Sequence, residues 1–181
     1  IMEKFEFDDI SFSEDTRILY EGHHINGMNL APEAFPLFMT SAFNMGNLDD
    51  VEHTYDTKGY TYIRTRNPNR KALADVLTYL EQGKDTLIFS SGMGAITTTY
   101  FALLQPGDHM ICNENIYGET FDAITSLVKN YGVTTTFVPF DDLDAVKAAV
   151  QPNTKMLYTE VASNPTDRLC DVAAIAEIAH E

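Results

Sequence analysis

The chain has 181 residues, enough for one domain with a sizeable core, and its 44% hydrophobic and 22% charged content is ordinary for a globular protein. Its 27 acidic against 12 basic side chains give a formal net charge of -15, which argues against nucleic acid and anionic membranes as partners and leaves a well-solvated acidic surface. No apolar run approaches the ~20 residues of a membrane span. The stretch Met2 to Asp9 lacks the apolar core of a signal peptide, and Cys112 and Cys170 form no CxxC pair, so a cytoplasmic location and no metal site are expected.

Residues 1 to about 60 have weak periodicity and are expected to form an N-terminal arm ahead of a domain at 61–181. Asp15 to Gly22 predicts a short helix capped by Asp15 or Thr16. The adjacent His23 and His24 suit a surface loop, since neighbours in a regular element cannot face one metal. Ala31 to Phe43 is apolar but interrupted by Pro32 and Pro36, which predicts an extended arm of the kind that packs on a partner subunit. A short helix is expected within Asn47 to Thr57. Asn67-Pro68 then opens a helix to about Gln82, with Leu73, Val76, Leu77 and Leu80 on its buried face.

From there strands and helices alternate. Strands are predicted at Thr86–Phe89, His109–Cys112, Val133–Val138 and Lys155–Thr159. Helices are predicted from Ala95 to Leu104 and from about Glu119 to Tyr131, the latter burying Ile124, Leu127, Val128 and Tyr131. Two more follow, one capped by Asp141 and burying Leu143, Val146 and Val150, one capped by Asp171 and burying Val172, Ile175 and Ala179. This order implies an α/β fold with a mostly parallel sheet, whose ligands collect beyond the carboxyl ends of the strands.

Three loops fall at that edge. Ser90-Ser91-Gly92-Met93-Gly94 joins a strand to a helix and offers unpartnered amides, hydroxyls and little bulk, a phosphate candidate that is neither a P-loop nor a dinucleotide fingerprint. Tyr117 could stack on a flat ligand, and Glu160 and Asn164 offer polar contacts; packing and turn roles explain the same residues. Upstream, Arg64, Arg66 and Arg70 lie within seven residues of a chain that has only five arginines. Tyr62 and Arg64, two apart on an extended segment, point the same way and could clamp a phosphate, unless the arginines pair with local acids.

The order Tyr62-x-Arg64-x-x-Asn67-Pro68, Ser90-Ser91-Gly92-Met93-Gly94-Ala95-Ile96, Tyr117-Gly118-x-Thr120 and Glu160-x-x-x-Asn164-Pro165 resembles the Cys/Met-metabolism family of pyridoxal-phosphate (PLP) enzymes. That family includes cystathionine γ-synthase, cystathionine γ- and β-lyases, methionine γ-lyase and O-acetylhomoserine sulfhydrylase. The resemblance implies the aspartate-aminotransferase-like fold (fold type I), with 61–181 the N-terminal part of the large cofactor domain. It implies pyridoxal 5'-phosphate as cofactor, an amino-acid substrate, and elimination or replacement at its β- or γ-carbon in trans-sulfuration. Ser91, Gly92 and Met93 would bind the phosphate, with Tyr62 and Arg64 reaching in from a neighbouring subunit of a homotetramer built as a dimer of dimers. Tyr117 would stack on the pyridine ring and assist proton transfer, Asn164 would contact the 3-hydroxyl side, and Glu160 would lie nearby.

Departures qualify the match. The family's Schiff-base lysine, its aspartate for the pyridine nitrogen and its carboxylate-binding arginine have no counterpart here, and none of the seven lysines has the Ser-x-x-Lys context. The chain is therefore expected to be a truncated part of a longer enzyme. As it stands it would be catalytically incomplete, acting as a phosphate-binding or assembly piece. An unrelated α/β domain for another phosphorylated ligand is the remaining alternative. Glu119 stands where methionine γ-lyases carry cysteine and most relatives glycine, and Asn69 replaces the usual threonine, a change expected to be neutral.

Overall fold

The computed structural model describes residues 13–20 and 34–181; His23, His24, the predicted helix beyond Tyr20 and the arm's residues 31–33 lie outside the described residues. The chain divides into two compact units, Ile1–Ile88 and Phe89–Glu181.

The first unit carries helices α1 (Glu14–Tyr20), α2 (Leu48–Asp56) and α3 (Pro68–Leu80). Asn47 and Asn67 cap α2 and α3, each accepting at 2.9 Å from the backbone N–H three residues on, and Pro68 occupies the first turn of α3, where its missing N–H costs nothing. Residues 36–43 form neither helix nor a longer strand, with Pro36 at their start. Phe35, Phe38, Phe43 and Tyr60 form a line of rings with centroids 6.2, 6.1 and 5.8 Å apart. An antiparallel bridge between Ala42 and Tyr62 ties this arm to the arginine-rich segment. The expected apolar face of α3 is displaced by one residue: Ala74 is buried while Leu73 is half exposed.

The second unit is the α/β part. Its elements are α4 (Gly92–Leu103), β1 (His109–Asn113), α5 (Gly118–Ala123) running into a π turn at Ile124–Val128, β2 (Thr134–Val138), α6 (Leu143–Ala148), β3 (Thr154–Tyr158) and α7 (Val172–His180). The strands form a parallel sheet in the order β2-β1-β3. β1 is buried along its whole length. Its alternate side chains serve two cores: Met110 and Cys112 pack with Tyr100, Leu104, Ile124 and Val128, whereas Ile111 packs with Phe140, Val146, Ile175 and Ile178. Gly132 (φ +94) turns the chain into β2 in the left-handed region that glycine tolerates.

Several expectations need correction. Thr86–Phe89 is extended but joins no ladder among the described residues, and Leu87 is 78% exposed; β-propensity makes an extended segment, yet a strand exists only where another backbone pairs with it. Leu127 and Tyr131 are exposed although Ile124 and Val128 are buried, because the π turn widens the helix and rotates later residues off the 3.6 period. The cap of α6 is Asp142, which accepts from the Ala145 N–H at 3.0 Å, one residue after the expected Asp141. Leu143, the first residue of α6, and Val150, just beyond its end, are exposed, and only Val146 of the expected three is buried. In α7 it is Ile178, with Ile175, that faces the core, rather than Val172 and Ala179.

At the amino edge of the sheet, His109 is buried and links all three strands. Its Nδ1 lies 2.8 Å from the Thr154 hydroxyl and its Nε2 2.8 Å from the Thr136 hydroxyl. Burial holds its pKa below the ordinary value. The neutral ring is thus the form the fold favours, so its contribution to stability is present above the unfolded-state pKa of about 6.5 and is lost as pH falls. Denaturant midpoints should fall between about pH 7.5 and 5.5, and His109→Asn should flatten that part of the profile. An unchanged slope would remove His109 as its source.

Candidate functional site

The parallel strands end on one edge at Asn113, Val138 and Tyr158, and the loops there are built from local hydrogen bonds. The Asn113 side-chain amide donates to the Thr159 hydroxyl at 3.0 Å, and its oxygen accepts from the Asn115 N–H at 3.2 Å. Asn113 thereby joins the exits of β1 and β3. Glu160 makes the second link: its Oε1 accepts from the Tyr117 backbone N–H at 2.9 Å. The Tyr117 ring stands out from this brace, 40% exposed.

The head of α4 is set by Ser91, whose Oγ accepts from the Gly94 N–H at 3.1 Å. A Cβ at Gly94 would come within 3.0 Å of that oxygen, so glycine keeps the cap intact. The N–H groups of Gly92 and Met93 have no partner among the described residues, and neither has the Ser91 hydroxyl proton. Three donors without a partner among the described residues therefore sit at the positive end of a twelve-residue helix. The Met93 sulfur meets the Thr120 hydroxyl at 3.8 Å, which places the head of α4 beside that of α5, next to Tyr117.

Of the expected residues in this unit, Ser91, Gly92, Met93, Tyr117 and Glu160 are linked through these contacts. Asn164 lies on the neighbouring loop closed by the Ala162–Leu169 bridge, where it is exposed and its side chain makes no hydrogen bond among the described residues. Glu160 holds backbone, a role that its position after a strand did not announce. Asn113 is a residue that the sequence reading does not single out. The signal for Asn113 is its place as the polar last residue of an otherwise apolar strand.

Tyr62 and Arg64 belong to the first unit, and the Arg64 guanidinium lies over the Tyr62 ring, 5.1 Å from its centroid. Arg66 and Arg70 do not face the same way. Arg66 donates to the Lys58 carbonyl, and Arg70 to the carbonyls of Thr65 at 3.0 Å and Arg64 at 3.4 Å. None of the three pairs with a carboxylate among the described residues. Two arginines shape the segment, while Arg64 stacks on the Tyr62 ring with no carboxylate partner among the described residues. Asn69, expected to be neutral, makes two hydrogen bonds to the arm: its Oδ1 accepts from the Phe38 N–H at 2.9 Å and its Nδ2 donates to the Pro36 carbonyl at 2.8 Å.

Residues 15–181 match the family model described as Cys/Met metabolism PLP-dependent enzyme. The chain belongs to this family. It is 41% identical over 146 residues to a cystathionine β-lyase of Bacillus subtilis, covering 81% of this chain and 36% of that protein. A cystathionine γ-lyase of Lactobacillus plantarum complexed with L-serine superposes with a TM-score of 0.80 at 33% identity, over 93% of this chain and 42% of that one. A Campylobacter jejuni structure that carries N'-pyridoxyl-lysine-5'-monophosphate gives a TM-score of 0.81 at 28% identity, over 94% and 42%. The fold is that of the type I PLP-dependent enzymes, and the chain spans about two-fifths of the relatives it matches.

The residues present fit a phosphorylated pyridine. Free amides and a hydroxyl at a helix head match the acceptor oxygens of a phosphate, and an exposed phenol ring on the adjacent loop matches a flat heterocycle. Hydrogen bonding with the Glu119 carboxylate, followed by that group's charge, holds the Tyr117 phenol above its ordinary pKa. Below the site, burial and then the charge of Glu160 push the Cys112 thiol up to about 12.

Two outcomes follow. Replacing Ser91 with alanine should destabilise the protein by about 1 kcal/mol through loss of the cap, measurable by chemical denaturation. At about pH 8, Cys112 should resist a thiol reagent until the protein is unfolded, as peptide mapping of the labelled sites would report.

Proposed function

We propose that this chain is the N-terminal part of a PLP-dependent enzyme that eliminates or replaces a group at the β- or γ-carbon of a sulfur amino acid or an activated homoserine. The observation that carries this reading is the pair of unpartnered amides at Gly92 and Met93, set beside Tyr117 in a member of a PLP-dependent family. Residues 1–60 act as the arm, and 61–181 as the first part of the cofactor domain.

Gly92, Met93 and Ser91 hold the phosphate. Arg64, oriented by Tyr62, supplies the full positive charge for it in the neighbouring subunit of a homo-oligomer, a dimer of dimers. When bound, the cofactor supplies the electron sink for charge that develops at the substrate α-carbon. Tyr117 would stack on the pyridine ring, with Glu160 fixing the backbone from which the Tyr117 side chain projects. Its phenol, whose pKa the Glu119 carboxylate raises, assists proton transfer. Asn164, exposed and unengaged, contacts the 3-hydroxyl side. Two free thiols fit a reducing, cytoplasmic setting.

For the chain alone a second reading has support. None of its seven lysines falls within the loops at 90–94, 113–118 or 159–166. The Schiff-base lysine then belongs to the remainder of the enzyme, and these residues by themselves bind phosphate without turnover.

The test is to treat the full-length protein and the 181-residue chain with PLP and borohydride and to assay both for release of thiols or α-keto acids from cystathionine and methionine. The full-length protein should retain one reduced cofactor and turn over, whereas the chain alone should do neither. A full-length protein that neither binds the cofactor nor acts on such amino acids would sink the proposal. In the full-length protein, Arg64→Ala should weaken PLP binding by about tenfold or more while sparing binding of pyridoxal, which has no phosphate.

A further inference from the structure

The arm and the Tyr62–Arg64 segment are a single hydrogen-bonded assembly whose clasp is a side chain. The Phe43 N–H donates to the Thr61 carbonyl and the Ile63 N–H to the Ser41 carbonyl, both at 3.0 Å, on either side of the Ala42–Tyr62 bridge. Two backbone bonds and the Phe43–Tyr60 ring contact are a short ladder, and its register needs support from the rest of the arm. A second anchor lies at residues 36–38. There the Asn69 side chain accepts from the Phe38 N–H and donates to the Pro36 carbonyl. The side chain thus holds the N–H of one residue and the carbonyl two before it, and the missing N–H of Pro36 excludes the alignment in which Pro36 would take the place of Phe38. Asn69 sits in the first turn of α3, between Asn67, which caps the helix, and Arg70, which grips the carbonyls of Arg64 and Thr65.

The geometry points to Asn69 as a positioning residue: its amide sets the register of residues 36–43 against 61–63 and so fixes the backbone from which Tyr62 and Arg64 present the cation. The inference rests on the reading that Arg64 binds the cofactor phosphate. An amide is suited to the task because it donates and accepts in one plane at a fixed spacing. An aspartate keeps the acceptor for Phe38 but faces the Pro36 carbonyl with negative charge, and an alanine keeps neither bond.

The test is a double-mutant cycle in the full-length protein, with Arg64→Ala, Asn69→Ala and the pair together. Dissociation constants for PLP and for pyridoxal would be titrated, and hydrogen exchange would be followed over residues 36–43 and 61–63. Asn69→Ala should weaken PLP binding by about fivefold with pyridoxal changed by less than about twofold. It should also speed exchange in both segments and add nothing once Arg64 is gone. Asn69→Asp should fall between wild type and alanine, and it carries the test if the alanine variant does not fold. Equal losses for PLP and pyridoxal, or faster exchange with unchanged PLP affinity, or full additivity with Arg64→Ala, would overturn the proposal. If Arg64→Ala itself leaves PLP affinity untouched, the reading of Arg64 as the phosphate cation fails, and the role of Asn69 falls with it.

Discussion

The pairing of β1 on both sides is the constraint from which the candidate site is built. A strand buried on both faces has no water for its N–H and C=O groups, so it is tolerated only between two neighbours that satisfy them. That requirement brings β2 and β3 into parallel register with it, and parallel register sends all three exits to one edge. Met110 and Ile111, pointing to opposite faces, each contribute on the order of 1.5–3 kcal/mol by burial and lock the helices above and below. Asn113 then turns the end of β1 into a fixture, bonding to the exit of β3 and to its own loop.

Electrostatics separates the head of α4 from the acidic background of the chain. A chain with a formal net charge of -15 does not attract a phosphate from a distance. Over the ~8–10 Å that salt allows, directed donors outweigh that background. The unpartnered amides of Gly92 and Met93 are such donors. Arg66 and Arg70 have their donors turned inward on backbone carbonyls, which gives the arginine cluster a division of labour: two build the segment and one faces out.

Glu119 and Glu160 show how two carboxylates near one tyrosine act differently. Glu160 accepts from the Tyr117 backbone N–H and fixes where the residue stands. Glu119, two residues on, raises the pKa of the phenol. The ring is steadied by one acid, and its proton affinity is set by the other.

Much of this was written locally in the sequence. The alternation of elements, the caps at Asn67 and Asp171, the polar turn at Ser91 to Gly94 and the four spaced motifs follow from residue chemistry over a few positions, and they led to the α/β class, the family and the loops of the site. What the sequence left open depends on contacts between distant residues. Whether Thr86–Phe89 becomes a strand rests on a second backbone, which no local propensity supplies. Which helix stripe is buried in α3 or α5 rests on a rotation of one residue or a single π turn, smaller than the width of an apolar stripe. Asn69 against Pro36 and Phe38 spans more than thirty residues, as Glu160 against Tyr117 spans more than forty. Periodicity has a range of one helical turn, and only the folded chain brings such pairs within the reach of a hydrogen bond.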